Sequence, residues 1–156
     1  MFVFRSGPLS NFALSSFRLP DAFTGEAREY RTVEHYFQAS KATTAGDHAW
    51  VAEQPTPRQA KRAGRAIRLR SDWETVKCEV MLTGLRAKFA LPRFRAALLA
   101  TDDRPILEDS KFDFEWGARD ARGGWEGGNL LGLALRRVRE EVRTGAPRAG
   151  DQMLLL

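Results

Sequence analysis

At 156 residues, 43% of them apolar and 29% charged, the chain has the size and composition of one soluble globular domain with a real core. A single cysteine, Cys78, excludes an intrachain disulfide framework, and the two histidines, His35 and His48, stand in no metal-ligand spacing. A net charge of +5 and a pI near 9.9 point to an anionic partner, either a phosphorylated metabolite or nucleic acid.

The opening MFVFRSG lacks the charged segment and long apolar core of a signal peptide. No apolar run approaches the ~20 residues that span a bilayer. The expectation is a cytoplasmic protein without a membrane partner. FVF, Phe2 to Phe4, has strand composition and closes into a loop at Arg5 to Pro8. LSNF, Leu9 to Phe12, is a turn element in which Ser10 and Asn11 can bond local backbone. Phe17 to Leu19 reads as a strand ending at Pro20. A polar connection, Asp21 to Glu29, joins it to a second hairpin strand that Tyr30 enters.

TVEHYFQASK, Thr32 to Lys41, reads as a helix with Thr32 as N-cap. At about 100° per residue, Glu34, Gln38 and Lys41 fall in a sector of roughly 60°, bordered by Val33 and Phe37. A carboxylate, an amide and an ammonium on one strip form either a solvated face or the wall of a lined pocket. A short helix follows over 46–53. Thr56-Pro57 is an N-cap with proline at the first helical position. It opens a basic helix with Arg58, Lys61, Arg62, Arg65 and Arg68, which is either a charged outer face or a source of phosphate contacts through Lys61 or Arg65.

Ser71 to Glu74 has the capping-box pattern and opens a helix to about Ala90, with Trp73, Val76, Val80, Leu85 and Phe89 as apolar material. Pro92 starts another, burying Phe94, Ala97 and Leu98. Ile106-Leu107 is a short strand leading into EDSKFDFEWG. There Asp113 and Glu115 lie near Trp116-Gly117, and tryptophan beside a carboxylate can stack a planar base and desolvate the acid. The glycines that follow, Gly123, Gly124, Gly127 and Gly128, match neither nucleotide fingerprint. Asn129 is the expected N-cap of a last helix to about Arg143, with Leu131, Leu135 and Val138 inward and Arg136, Arg137 and Arg139 exposed. Residues 144–156 read as a flexible tail after a domain over 1–143.

LSNF, TVEHYFQASKA, AKRAGR, DWETVKCEVML, LRAKF, ILEDS, DFEWG and GGNLLG, in this order, resemble the NADAR superfamily, which includes YbiA-like N-glycosidases. The likeness covers Phe2 to Arg143. It implies an α+β, helix-rich single domain with a small N-terminal β-element. It also implies hydrolysis of an N-glycosidic bond between ribose and a base-like amine, without cofactor or metal. Two substrates come with the resemblance: phosphorylated ribosylamino-pyrimidine intermediates of riboflavin biosynthesis, and ADP-ribose attached to guanine in DNA. A binding module for ADP-ribose or NAD-like ligands is the non-catalytic alternative. The resemblance assigns catalysis to Glu34, Lys41 and Asp113. Substrate contacts are expected from Asn11, Tyr36, Gln38, Lys61, Arg65, Trp116, Gly117 and Asn129. Lys41 either contacts phosphate or attacks C1 to form a Schiff base.

Overall fold

The structure is a computed structural model and describes residues 1–145; most of the expected tail lies outside the described residues. The chain is α+β and helix-rich, and its described residues cluster into two compact units: Asn11–Lys88, and Met1–Ser10 with the described residues from Phe89.

The first unit opens with a hairpin, β2 (Phe17–Pro20) against β3 (Ala27–Tyr30), antiparallel with Phe17 opposite Tyr30. Three helices follow: α1 (Val33–Ala39), α2 (Ala45–Ala52) and α3 (Pro57–Ala66). Each begins after a threonine whose hydroxyl accepts from an amide of the first turn: Thr32 from His35, Thr44 from Asp47, Thr56 from Gln59. α4 (Trp73–Phe89) begins one residue later than the capping-box reading. The Arg70 carbonyl accepts from the Trp73 amide and the Asp72 carbonyl from those of Thr75 and Val76, while Arg70 holds the Asp72 carboxylate at 2.6 Å, so the helix is entered through Asp72 and not from Ser71. The most buried apolar residues of α4 include Met81, Leu82 and Leu85, whereas Val76 and Val80 are only half-buried.

Both histidines serve this unit's interior. His35 Nε2 lies 2.8 Å from the Gln54 carbonyl, which can only accept, so Nε2 carries the proton and Nδ1 accepts from the Thr32 hydroxyl at 2.8 Å. His48 donates from Nδ1 to the Ala39 carbonyl and accepts from the Tyr30 hydroxyl at 2.8 Å. Burial lowers both imidazole pKa values in the folded state. The stability linked to this neutral pair is therefore complete above pH ~6.5 and declines as pH falls below it, by up to about 1.4 kcal/mol per pH unit per histidine. The urea midpoint is expected to be lower at pH 5 than at pH 7.5. A midpoint unchanged between them contradicts this.

The second unit pairs β1 (Phe2–Phe4) in parallel with β4 (Ile106–Glu108). It also contains α5 (Pro92–Leu99), the hairpin β5 (Arg119–Ala121) and β6 (Gly124–Glu126), and α6 (Leu130–Thr144). The glycine-rich stretch is thus partly a hairpin. On α6, Leu131, Leu135 and Val138 are buried as expected. Arg136 is exposed and Arg137 half-buried, but Arg139 is only 4% exposed. Its guanidinium donates to the Thr101 hydroxyl at 2.7 Å and the Arg104 carbonyl at 3.0 Å, which takes it out of solvent. No described helix is long and apolar enough to cross a membrane.

Candidate active site

Helix α1 places the first group of expected residues. The Asn11 carbonyl accepts from the Glu34 amide at 3.1 Å, so the LSNF turn caps the start of the helix. The Asn11 side chain is buried: Nδ2 faces the Met81 sulfur at 3.4 Å and Oδ1 has no hydrogen-bond partner. One turn apart on α1, Gln38 Nε2 donates to Glu34 Oε1 at 2.7 Å, and both side chains are buried. This is no solvated stripe. A carboxylate out of water is held by a neutral amide, an arrangement that fixes the orientation of a charged group.

Lys41 departs from the helical reading. α1 ends at Ala39, Ser40 caps it, and its hydroxyl donates to the Tyr36 carbonyl at 2.7 Å. The Lys41 ammonium then lies over the rings of Phe37 and Trp73, 5.6 Å from each centroid, while those rings meet edge to face at 5.0 Å. Such a position holds a partly desolvated cation by the ring quadrupoles. Tyr36 faces elsewhere in the unit. It stacks edge-on to Tyr30 at 5.1 Å and to Phe17, and its burial raises the phenol pKa.

Helix α3 lays Ala60, Ala63 and Gly64 in the interior. Gly64 approaches Gln38 so closely that a Cβ there would stand 2.1 Å from Gln38 Oε1. On the opposite side, Arg58, Arg62 and Arg65 are exposed and fall within about a 60° sector. Arg65 therefore points away from the seam with Gln38, whereas Lys61 at the edge of that face is half-buried.

The second unit holds Asp113, Trp116, Gly117 and Asn129. Asp113 Oδ1 accepts from the Trp116 amide at 3.0 Å and the Asp113 carbonyl from that of Gly117, closing a turn. A Cβ on Gly117 would come within 2.5 Å of the Ser110 side chain and 3.0 Å of the Glu108 carbonyl, so only glycine fits. The carbonyls of Glu115, Trp116 and Gly117 accept from the amides of Leu130, Leu131 and Asn129. The WG turn thereby satisfies donors that the start of α6 leaves open. Trp116 is 7% exposed, so little of its ring is presented to solvent.

Asn129 is the N-cap residue of α6 by position but makes no side-chain cap bond. Its Oδ1 accepts from the Glu108 amide at 3.1 Å and its Nδ2 donates to the Ile106 carbonyl at 2.9 Å, as a neighbouring strand would. Its φ of +49° is one asparagine tolerates better than most residues. Asn129→Ala is expected to cost about 3 kcal/mol, from two backbone groups left unpaired and a strained φ. A thermal melt tests this, and an unchanged Tm contradicts it.

Comparison with known proteins adds the family. The model of the NADAR domain matches residues 3–143. An N-glycosidase of Nostoc punctiforme is 34% identical, over 88% of this chain and 86% of that protein. N-glycosidase YbiA of Escherichia coli is 35% identical, over 87% of this chain and 81% of its own. A chloroplastic riboflavin biosynthesis protein PYRR of Zea mays is 32% identical over 93% of this chain, which spans 25% of that longer protein. The solution NMR structure of E. coli YbiA superposes with a TM-score of 0.77, covering 92% of this chain and 85% of that one. The chain therefore belongs to the NADAR domain family and stands among its N-glycosidases, hydrolases that act on N-glycosyl bonds.

Proposed function

We propose that the protein hydrolyses the ribose C1–N bond of a phosphorylated ribosylamino-pyrimidine, with Glu34 as the principal reacting carboxylate. The observation that carries this is the buried Glu34 carboxylate with one oxygen fixed by Gln38. Breaking a ribosyl C–N bond builds positive charge at C1, and a fixed anion stabilises it or takes the proton of the attacking water. Water oxygen bonds to C1, the C1–N pair leaves with the amine, and the amine gains a proton. The resemblance marks Asp113 and Trp116 as site residues; Asp113 is the proposed donor of that proton and Trp116 the proposed stacking partner of the base. The Lys41 cation suits the substrate's phosphate or a covalent step at C1. Similarity to a riboflavin biosynthesis protein supports the pyrimidine leaving group. The test is incubation with a ribosylamino-pyrimidinedione 5′-phosphate and mass spectrometry for free ribose 5-phosphate. Intact substrate, with folded protein, rejects the reading.

A second reading, removal of ADP-ribose from guanine in DNA, is favoured by one observation. Arg58, Arg62 and Arg65 form an exposed ridge about 10 Å long on α3, with no ion pair among the described residues. Arginines in such a row suit successive phosphates. If DNA is the substrate, log K for an oligonucleotide falls steeply with log salt, and Arg58→Glu with Arg62→Glu flattens the slope by about two phosphate contacts. Binding insensitive to salt rejects it.

A further inference from the structure

We propose that Gly64 of α3 is a positioning residue for Glu34, acting through Gln38; the proposal rests on Glu34 as the reacting carboxylate. A Cβ on Gly64 would stand 2.1 Å from Gln38 Oε1 and 3.0 Å from both its Cβ and Cδ. The glycine hydrogen that a methyl would replace therefore points at Oε1. That oxygen is buried and has no N–H or O–H partner, so the C–H···O contact is what it has. The contact fixes which end of the amide faces which way. With Oε1 toward Gly64, Nε2 donates to Glu34 Oε1 at 2.7 Å. Turned about its last bond, the amide would set oxygen against carboxylate oxygen and aim its N–H groups at a carbon. The seam between α1 and α3 thus permits only the orientation that holds the acid.

The local sequence agrees. The residues around Gly64 in α3 are Ala, Arg, Lys and Gln, strong helix formers, and glycine in a helix interior costs about 1 kcal/mol against alanine. Nothing in α3 itself asks for a glycine there. The amide of Gln38 does. In Gly64→Ala the methyl displaces the amide end of Gln38 and presses on its Cβ at 3.0 Å, so the protein folds with a lowered Tm while the hold on Glu34 is lost.

The experiment compares Gly64→Ala, Gln38→Ala and the double variant by Tm, kcat and KM on the cleaved N-glycoside. Gly64→Ala is expected to lower kcat by about tenfold or more, the carboxylate being misplaced and not removed. KM should change less than kcat, since the main loss is in the orientation of the reacting acid; a KM effect as large as the kcat effect overturns the proposal. The double variant should recover Tm relative to Gly64→Ala, because the collisions with Oε1 and Cδ are gone and only the 3.0 Å approach to the residue-38 Cβ remains. Its kcat should be no lower than that of Gln38→Ala alone, since both changes remove one interaction. Wild-type kcat in Gly64→Ala overturns the proposal. So does kcat returning together with Tm in the double variant, which would make Gly64 a packing residue only. Side-chain NMR of Gln38 supplies a readout independent of turnover. Its amide protons should exchange slowly in the wild type and faster in Gly64→Ala. Equal exchange overturns the positioning even if no N-glycoside is cleaved, whereas a wild type that cleaves none rejects the proposed function separately.

Discussion

Glu34→Gln is expected to fold as the wild type does and to lose about a thousandfold in kcat, the middle of the range for a positioned acid or base. The substitution is nearly isosteric. Its side-chain carbonyl can still accept from Gln38 Nε2, the bond that holds Glu34 Oε1 at 2.7 Å, so the α1 surface keeps its shape. On the proposed mechanism, what disappears is the negative charge that stabilises C1 as the bond breaks. In a buried setting that charge acts with little screening by water, so its loss is felt far more than at a surface. The measurement is single-turnover kinetics at saturating substrate, with circular dichroism and Tm as folding controls. Turnover within about threefold of the wild type would remove Glu34 from the chemistry, since a positioned base supplies about a hundredfold or more.

Lys41→Ala is the second large effect, with kcat/KM expected to fall by about a hundredfold or more. The ammonium sits over Phe37 and Trp73, each 5.6 Å away, and those rings remain when it is removed. The ring contacts contribute about 1 kcal/mol to stability, and Tm is the folding control for the variant. The role of the lysine then separates by chemistry. Lys41→Arg keeps the charge but not a nucleophilic amine. Activity retained in Lys41→Arg assigns the residue to phosphate or transition-state charge. Activity lost, together with a borohydride-trapped sugar adduct on wild-type Lys41, assigns it to attack at C1. Wild-type kcat/KM in Lys41→Ala would contradict both.

Much of this was legible locally. Thr32 and Thr56 start α1 and α3 where their short polar side chains predict, and the β2–β3 hairpin falls on the Phe17 and Tyr30 segments. Local rules failed where a distant partner decides. Lys41 falls on a helical stripe by periodicity, yet the helix stops at Ala39 as the chain turns through Ser40. Asn129 resembles an N-cap by position, but its amide completes the edge of β4, a partner more than twenty residues away. Arg139 looks like a surface residue on any helical wheel until Thr101 and the Arg104 carbonyl receive it. Gly64 did leave a signal: a lone glycine in a run of helix formers marks close approach by something else. Its partner, Gln38, was visible only in three dimensions.

The most direct measurement is kcat/KM on two substrates side by side, the ribosylamino-pyrimidinedione 5′-phosphate and an oligonucleotide carrying ADP-ribosyl-guanine, with wild type and Glu34→Gln. The account predicts ribose 5-phosphate from the first, at a kcat/KM at least about a hundredfold above that on the oligonucleotide. It also predicts that this release slows by about a thousandfold in Glu34→Gln. Free ADP-ribose and restored guanine from the oligonucleotide, with the pyrimidine substrate untouched, would contradict it.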